Sequence, residues 1–258
     1  MADAAIDDGT DHGTDHGIDY GSYLRLPELL ALQAPQSSPE HPDELLFIVV
    51  HQASELWFKV LRHELDQLIA ALEAFDTMRA LLAVQRINVL TEIVSHELTA
   101  LDTLPPQRFA QFRGYLGRSS GSQSAQFRAI EATAGLRDPH FLAAITEHGD
   151  PPPEVTAALA RPTLQSLVLA LLAHHELPLA SLYTGPRPTP EFLLIEGLLE
   201  FEQRFARWRF LHVQLVERII GPGTTGTGGT LGAKYLARTV AQRFFPALWA
   251  VRAQFHTG

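Results

Sequence analysis

Two histidines lie where a chain of this composition has least use for them. His51 falls inside "LLFIVVHQASELW", residues 45–57, and His212 inside "FEQRFARWRFLHVQLVERIIG", residues 201–221. Both stand far from any turn, among aromatic and aliphatic neighbours. An imidazole in such surroundings either is a core side chain satisfied by a neighbour or is a donor, acceptor or ligand held in a dry site. Spacing alone leaves both readings open.

The motifs for a bare metal ion are missing. Three His-Glu-Leu triplets occur, at 63–65, 96–98 and 175–177, but none extends to His-Glu-x-x-His and no Glu-x-x-His occurs. A zincin site and a carboxylate-bridged di-iron bundle both lack their ligand spacing, so the triplets are expected on helix surfaces. There is no cysteine. That excludes disulfides, thiolate metal sites, cysteine nucleophiles, iron–sulfur clusters and covalently attached c-type haem. It also fits a cytoplasmic location. With these set aside, two buried histidines permit one further arrangement, in which one imidazole ligates a haem iron and the other faces the open coordination side.

A third feature is "GPGTTGTGGTLG", residues 221–232, with six glycines and four threonines. It has no Gly-Lys-Ser/Thr sequence and no strand before it, which excludes a P-loop. Its backbone N–H groups and hydroxyls can wrap a small anion such as a carboxylate, or the loop is a flexible connector. The two readings stand side by side.

The elements that position these residues read as helical almost throughout. The 258 residues are long enough for one large core. They are 46% hydrophobic and 19% charged with a net charge of −9, and mean hydropathy is near zero. Scattered basic residues and an acidic balance argue against nucleic acid or an anionic membrane as partner. No apolar run is seen to reach the ~18 residues of a membrane span, and the acidic N-terminus is unlike a signal peptide. Residues 1–19, with the degenerate "GTDHGTDHGIDYG", are expected to form a disordered tail ahead of a single domain over 20–258. A short helix is expected over about 26–34 and long ones over 43–75 and 78–104, the first opened by "HPDE". Proline and glycine break the pattern over 103–124, and helix resumes at about 123–134. The stretch 135–162 reads as irregular. Helices follow over about 163–177 and 190–220, then a final one divided at Pro246. No strand series is evident, so the expected fold class is all-α, a helical bundle.

Five blocks then carry a resemblance. "YGSYLRL" (20–26), "DELLFIVVHQASELWFK" (43–59), "FRGYLGRSSGSQSAQFR" (112–128), "WRFLH" (208–212) and "GTGGTLGAKYL" (226–236) resemble, in order, the signature blocks of the tryptophan 2,3-dioxygenase superfamily. The match runs from about residue 20 to 250. It implies an α-helical homotetramer with one non-covalent haem b per subunit, Fe(II) in the active form, and O2 as co-substrate. By the same resemblance His212 is the proximal iron ligand and His51 the distal histidine that meets the indole N–H. Phe47 lines the indole pocket, Arg113 pairs with the substrate carboxylate, and Thr227 contacts the amino acid backbone. Tyr20, Tyr23 and Leu24 belong to a segment closing a neighbouring subunit's pocket. Ser120 and Gly121 lie beside bound oxygen. Each has a plainer reading: Arg113 as a cap, Thr227 as a turn residue, Phe47 as core.

The chain departs from the family at Ser122, where a phenylalanine is usual. That exchange removes apolar volume beside the expected haem and admits water or a larger substrate. Thr230 and Leu231 stand where two serines are common, a residue is inserted near 222–225, and 135–190 is short and poorly matched. The expected activity is therefore haem-dependent oxygenation of indole C2–C3 in L-tryptophan or a close derivative, giving N-formylkynurenine. The runner-up is a superfamily monooxygenase forming a 2-oxindole from a substituted tryptophan. A haem sensor or carrier would keep His212 but have no use for Arg113 with Thr227, and a purely structural helical protein would be colourless.

Overall fold

A computed structural model describes residues 18–137, 139–146, 149–224 and 233–255. No strand occurs among them, and the protein is all-α as expected. Backbone contacts divide the chain into two compact units, residues 1–34 and 35–258. In the first, α1 (Tyr20–Leu24) and α2 (Leu26–Leu29) are separated by Arg25 in the left-handed region at φ 52°. The Asp19 carboxylate caps α1 by accepting from the Ser22 N–H at 2.7 Å. Neither helix contains a buried residue. The expected disordered tail lies almost wholly outside the described residues.

The second unit is built on three long helices, α3 (Glu44–Glu73), α4 (Thr77–Leu101) and α10 (Pro190–Ile220). Helix α4 packs against both others. Leu61, Leu65, Leu68 and Leu72 of α3 meet Val84, Ile87 and Val94 of α4 and Leu194, Ile195, Leu198, Phe201 and Phe205 of α10 in one core. This is the i, i+3/i+4 apolar stripe of an amphipathic helix repeated three times. Caps fix the starts: Asp76 accepts from the Arg79 N–H at 3.0 Å, and Thr189 accepts from the Phe192 N–H at 3.2 Å with Pro190 at the first helical position. Helices α4 and α10 meet closely at Gly197. A Cβ there would stand 2.5 Å from Val84 Cγ1, and the Asn88 amide donates to the Gly197 carbonyl at 2.9 Å.

Prolines that read as breakers turn out to be starters. Within 103–124 lies α5 (Pro106–Arg113), and within 135–162 lie α7 (Pro139–Thr146) and α8 (Pro153–Ala160). Each opens on a proline, whose missing N–H costs nothing in the first turn. Helix α6 (Ala125–Ala134) is capped by Ser124, and α9 (Leu164–His174) by Thr163. The 22 residues 153–174 are apolar and long enough by composition to cross a membrane. They form two helices instead, parted at Arg161 and Pro162, with Val155, Leu164, Val168 and Leu171 buried in the core.

The C-terminal segment breaks earlier than Pro246 alone would require. It forms α11 (Ala233–Thr239) and α12 (Pro246–Ala250) with non-helical residues 240–245 between them. The cause is Glu202 of α10, which is 1% exposed. Its carboxylate accepts from the backbone N–H groups of Phe244 (2.7 Å) and Phe245 (2.8 Å), from Trp249 Nε1 (2.6 Å) and from Arg243 (3.0 Å). A buried carboxylate needs such donors, and it takes these two N–H groups out of any helix. Glu64, within the first His-Glu-Leu triplet, also departs from the surface placement expected of it. It is buried on α3 and paired with Arg86 of α4 at 3.0 Å.

Candidate active site

A second, smaller apolar cluster holds the candidate residues. Val50 of α3, Leu98 and Leu101 of α4, Phe109 and Phe112 of α5, and Leu215 and Ile219 of α10 are buried together, with Phe47, Trp208 and Leu211 packed against them. Phe47 touches His51 (ring centroids 4.2 Å apart), Phe109 (5.5 Å) and Phe112 (5.8 Å). Arg113 directly follows Phe112 as the last residue of α5, and is half-buried. The aromatic contacts thus carry the Arg113 end of α5 to the turn of α3 that bears His51.

The two imidazoles are close enough to feel each other's charge. A proton on His51 disfavours one on His212. His212 is pulled down to about 4, first by burial and then by His51. Burial also lowers His51, against the opposing pulls of the Phe47 carbonyl and the Glu55 carboxylate. Both rings are therefore neutral at pH 7. His51 opens onto space that water can enter, yet protein surrounds it closely enough to desolvate the charged form.

Their free atoms differ. His51 Nδ1 lies 2.7 Å from the Phe47 carbonyl oxygen. A carbonyl only accepts, so Nδ1 carries the proton and Nε2 keeps a lone pair for an incoming N–H. His212 stacks on Trp208, one turn earlier in α10, with centroids 5.1 Å apart and planes at 28°. Among the described residues nothing is hydrogen-bonded to the His212 ring, so one nitrogen is available to a metal.

The surroundings fit a porphyrin. Trp208 Nε1 is a buried donor without a partner among the described residues, and an orphaned donor one turn from His212 suits an anionic acceptor such as a porphyrin carboxylate. No cluster of three or more His, Cys, Asp or Glu able to hold a bare metal ion occurs among the described residues. His212 would hold the iron.

The other sequence-picked residues are distributed differently. Ser120 opens the short 3₁₀ turn Gly121–Gln123. Its hydroxyl caps the turn and lies 2.9 Å from the Ser122 hydroxyl, while the Gln123 side chain returns to the Ser120 N–H at 3.1 Å. Downstream, Gln126 donates to the Glu55 carbonyl and carboxylate at 2.9 Å each, tying the loop's helix to α3 one turn after His51. Tyr20, Tyr23 and Leu24 are exposed on the first unit. Thr227, and with it most of the glycine-rich loop, lies outside the described residues. Phe109, Phe112, Trp208 and the buried Glu131–Arg209 pair were not singled out from sequence. Phe112, Trp208 and Arg209 do fall inside blocks that carry the family resemblance, and the others had only helical spacing from better-marked neighbours.

Comparison with known proteins adds the family. The sequence profile described as tryptophan 2,3-dioxygenase matches residues 4–149 and 171–255. The chain belongs to the tryptophan 2,3-dioxygenase family. It is 39% identical to the tryptophan 2,3-dioxygenase of Kineococcus radiotolerans, over 91% of this chain and 90% of that one. It is 39% identical to that of Herpetosiphon aurantiacus, over 90% and 96%, and 38% identical to that of Anaeromyxobacter sp. (strain K), over 90% and 94%. The stretch outside the profile is 150–170, narrower than the 135–190 that reads as poorly matched. It holds all of α8 and the start of α9.

Proposed function

We propose that the chain is a haem-dependent dioxygenase that cleaves the indole C2–C3 bond of L-tryptophan, yielding N-formylkynurenine. The observation that carries the reading is the pair of neutral imidazoles, His51 and His212, brought together in a member of the tryptophan 2,3-dioxygenase family. Haem, when bound, supplies activation of O2. His212 holds the iron. The lone pair on His51 Nε2 accepts the indole N–H and orients C2 and C3. Phe47, with Phe109 and Phe112 behind it, forms a dry wall that keeps water from the reacting carbons. The Arg113 guanidinium takes the substrate carboxylate in two charge-assisted bonds. Thr227 contacts the amino acid backbone, and Ser120 and Gly121 border the oxygen.

A cytoplasmic homotetramer is part of the same proposal. Helix α3 is apolar on two sides: opposite its core face lie Leu45, Val49, Leu56 and Val60, all exposed in a lone chain. Such a stripe suits burial against another copy. Tyr20, Tyr23 and Leu24, likewise exposed, suit closure of a neighbour's pocket.

Incubating ferrous protein with tryptophan and isotopically labelled O2, then weighing the product, tests the reading. Two labelled oxygen atoms are expected in each product molecule. One atom, with reductant consumed at every turnover, would establish the 2-oxindole reaction instead. The relatives' names give that alternative no support.

A further inference from the structure

One buried ion pair has no part in the proposed reaction. Glu131 of α6 is fully buried and Arg209 of α10 is 3% exposed, and they meet at 2.6 Å. Glu131 also accepts from Arg128 at 2.8 Å. The Arg209 guanidinium lies over the rings of Phe205 (4.9 Å) and Phe244 (5.1 Å). Burial of an ion pair among aromatic rings is costly and adds little to stability over a well-packed apolar replacement. Its location is more informative. Arg209 precedes His212 by three residues, about 4.5 Å along the helix axis. Glu131 stands on the helix that continues from the Ser120–Ser124 loop.

We propose that Glu131 and Arg209 are an electrostatic pair on the His212 side of the site that sets the ferric/ferrous potential of the iron. The inference rests on the proposed function, because it requires haem at His212. Ferric haem carries one more positive charge than ferrous haem. A fixed positive charge nearby favours the ferrous form and a negative one the ferric form, and low polarity lets either act over distance. Glu131 offsets the Arg209 charge, and the ferrous state that must bind O2 is stabilised only as far as that offset allows.

The test is the midpoint potential of haem-loaded protein, followed by absorbance in a redox titration. Glu131→Gln keeps the side chain's shape and removes a negative charge, so the potential rises. Arg209→Gln removes a positive charge, so it falls. The double variant Glu131→Gln/Arg209→Gln restores the original charge balance, and its potential returns toward the parent's. If Glu131→Gln does not fold, Arg209→Gln against Arg209→Lys decides, since only the first changes charge and only it lowers the potential. Single variants that load haem but shift in the same direction, or not at all, overturn the inference and leave the proposed function standing. A parent protein that takes up no haem overturns both.

Discussion

Trp208 lies against His212 on α10, one turn apart, with ring planes only 28° from parallel. An indole in that position restricts rotation of the imidazole about its own bonds. The ring that is proposed to hold the iron is therefore oriented before any cofactor arrives. Phe58 and Phe127 pack against Trp208 from α3 and α6, so the orientation is supported from two further elements.

His212→Ala is expected to abolish retention of haem. Absorbance in the Soret region after gel filtration reads this directly, and added imidazole should restore part of it. Haem that stays bound through the column would remove His212 from its role.

Arg113→Ala should leave haem in place and weaken binding of tryptophan. Loss of a hydrogen-bonded charge pair is worth about 1.5–3 kcal/mol, or roughly ten- to a hundred-fold. Tryptamine, which lacks the carboxylate, should bind nearly as well to the variant as to the parent. Equal losses for both ligands would mean that Arg113 does not hold the carboxylate.

The depressed His212 sets a pH dependence in cofactor-free protein. Its folded value is about 4, against 6.5 ordinarily. Between these values the unfolded chain binds the proton and the folded chain does not, so stability rises with pH. The contribution is fully present above about pH 6.5 and is lost as pH falls toward about 4. Urea titrations across this window should show the slope, and His212→Asn should flatten it.

Glu202→Ala should release the C-terminal segment. It leaves the N–H groups of Phe244 and Phe245 buried without an acceptor, a loss of about 3–5 kcal/mol. Thermal unfolding gives the magnitude, and faster proteolysis between 233 and 255 locates it.

Gly197→Ala should cost about 1–3 kcal/mol, because the new methyl group meets Val84 in a packed interface. Val84→Ala in the same chain makes room and should recover part of the loss. A double variant less stable than either single one would show that the clash lies elsewhere.

The long helices were legible in the sequence because their apolar residues recur at helical spacing over many turns. The span 190–220 is matched to the residue, and α3 and α4 to within a few residues. The short helices α5, α7 and α8 were not legible, since each is too brief to display a period and opens on a proline. His51 and His212 were conspicuous as imidazoles in apolar runs. Their proximity was not, for it depends on α3 and α10 sharing a cluster of residues more than 150 positions apart in the sequence. Glu131 and Glu202 are buried without any linear signal that they should be. Nothing in a linear pattern marks a glutamate whose partners are supplied by another helix or by a later loop.

The carboxylate of Glu202 also bears on the order of assembly. Its donors come from positions 243–249, some forty residues later in the chain. While synthesis proceeds, the middle of α10 carries a negative charge with no acceptable burial. Burial of this part of α10 must wait until residues 243–249 have been made. A nascent chain truncated before residue 243 should therefore stay unfinished around Glu202, however complete its longer helices.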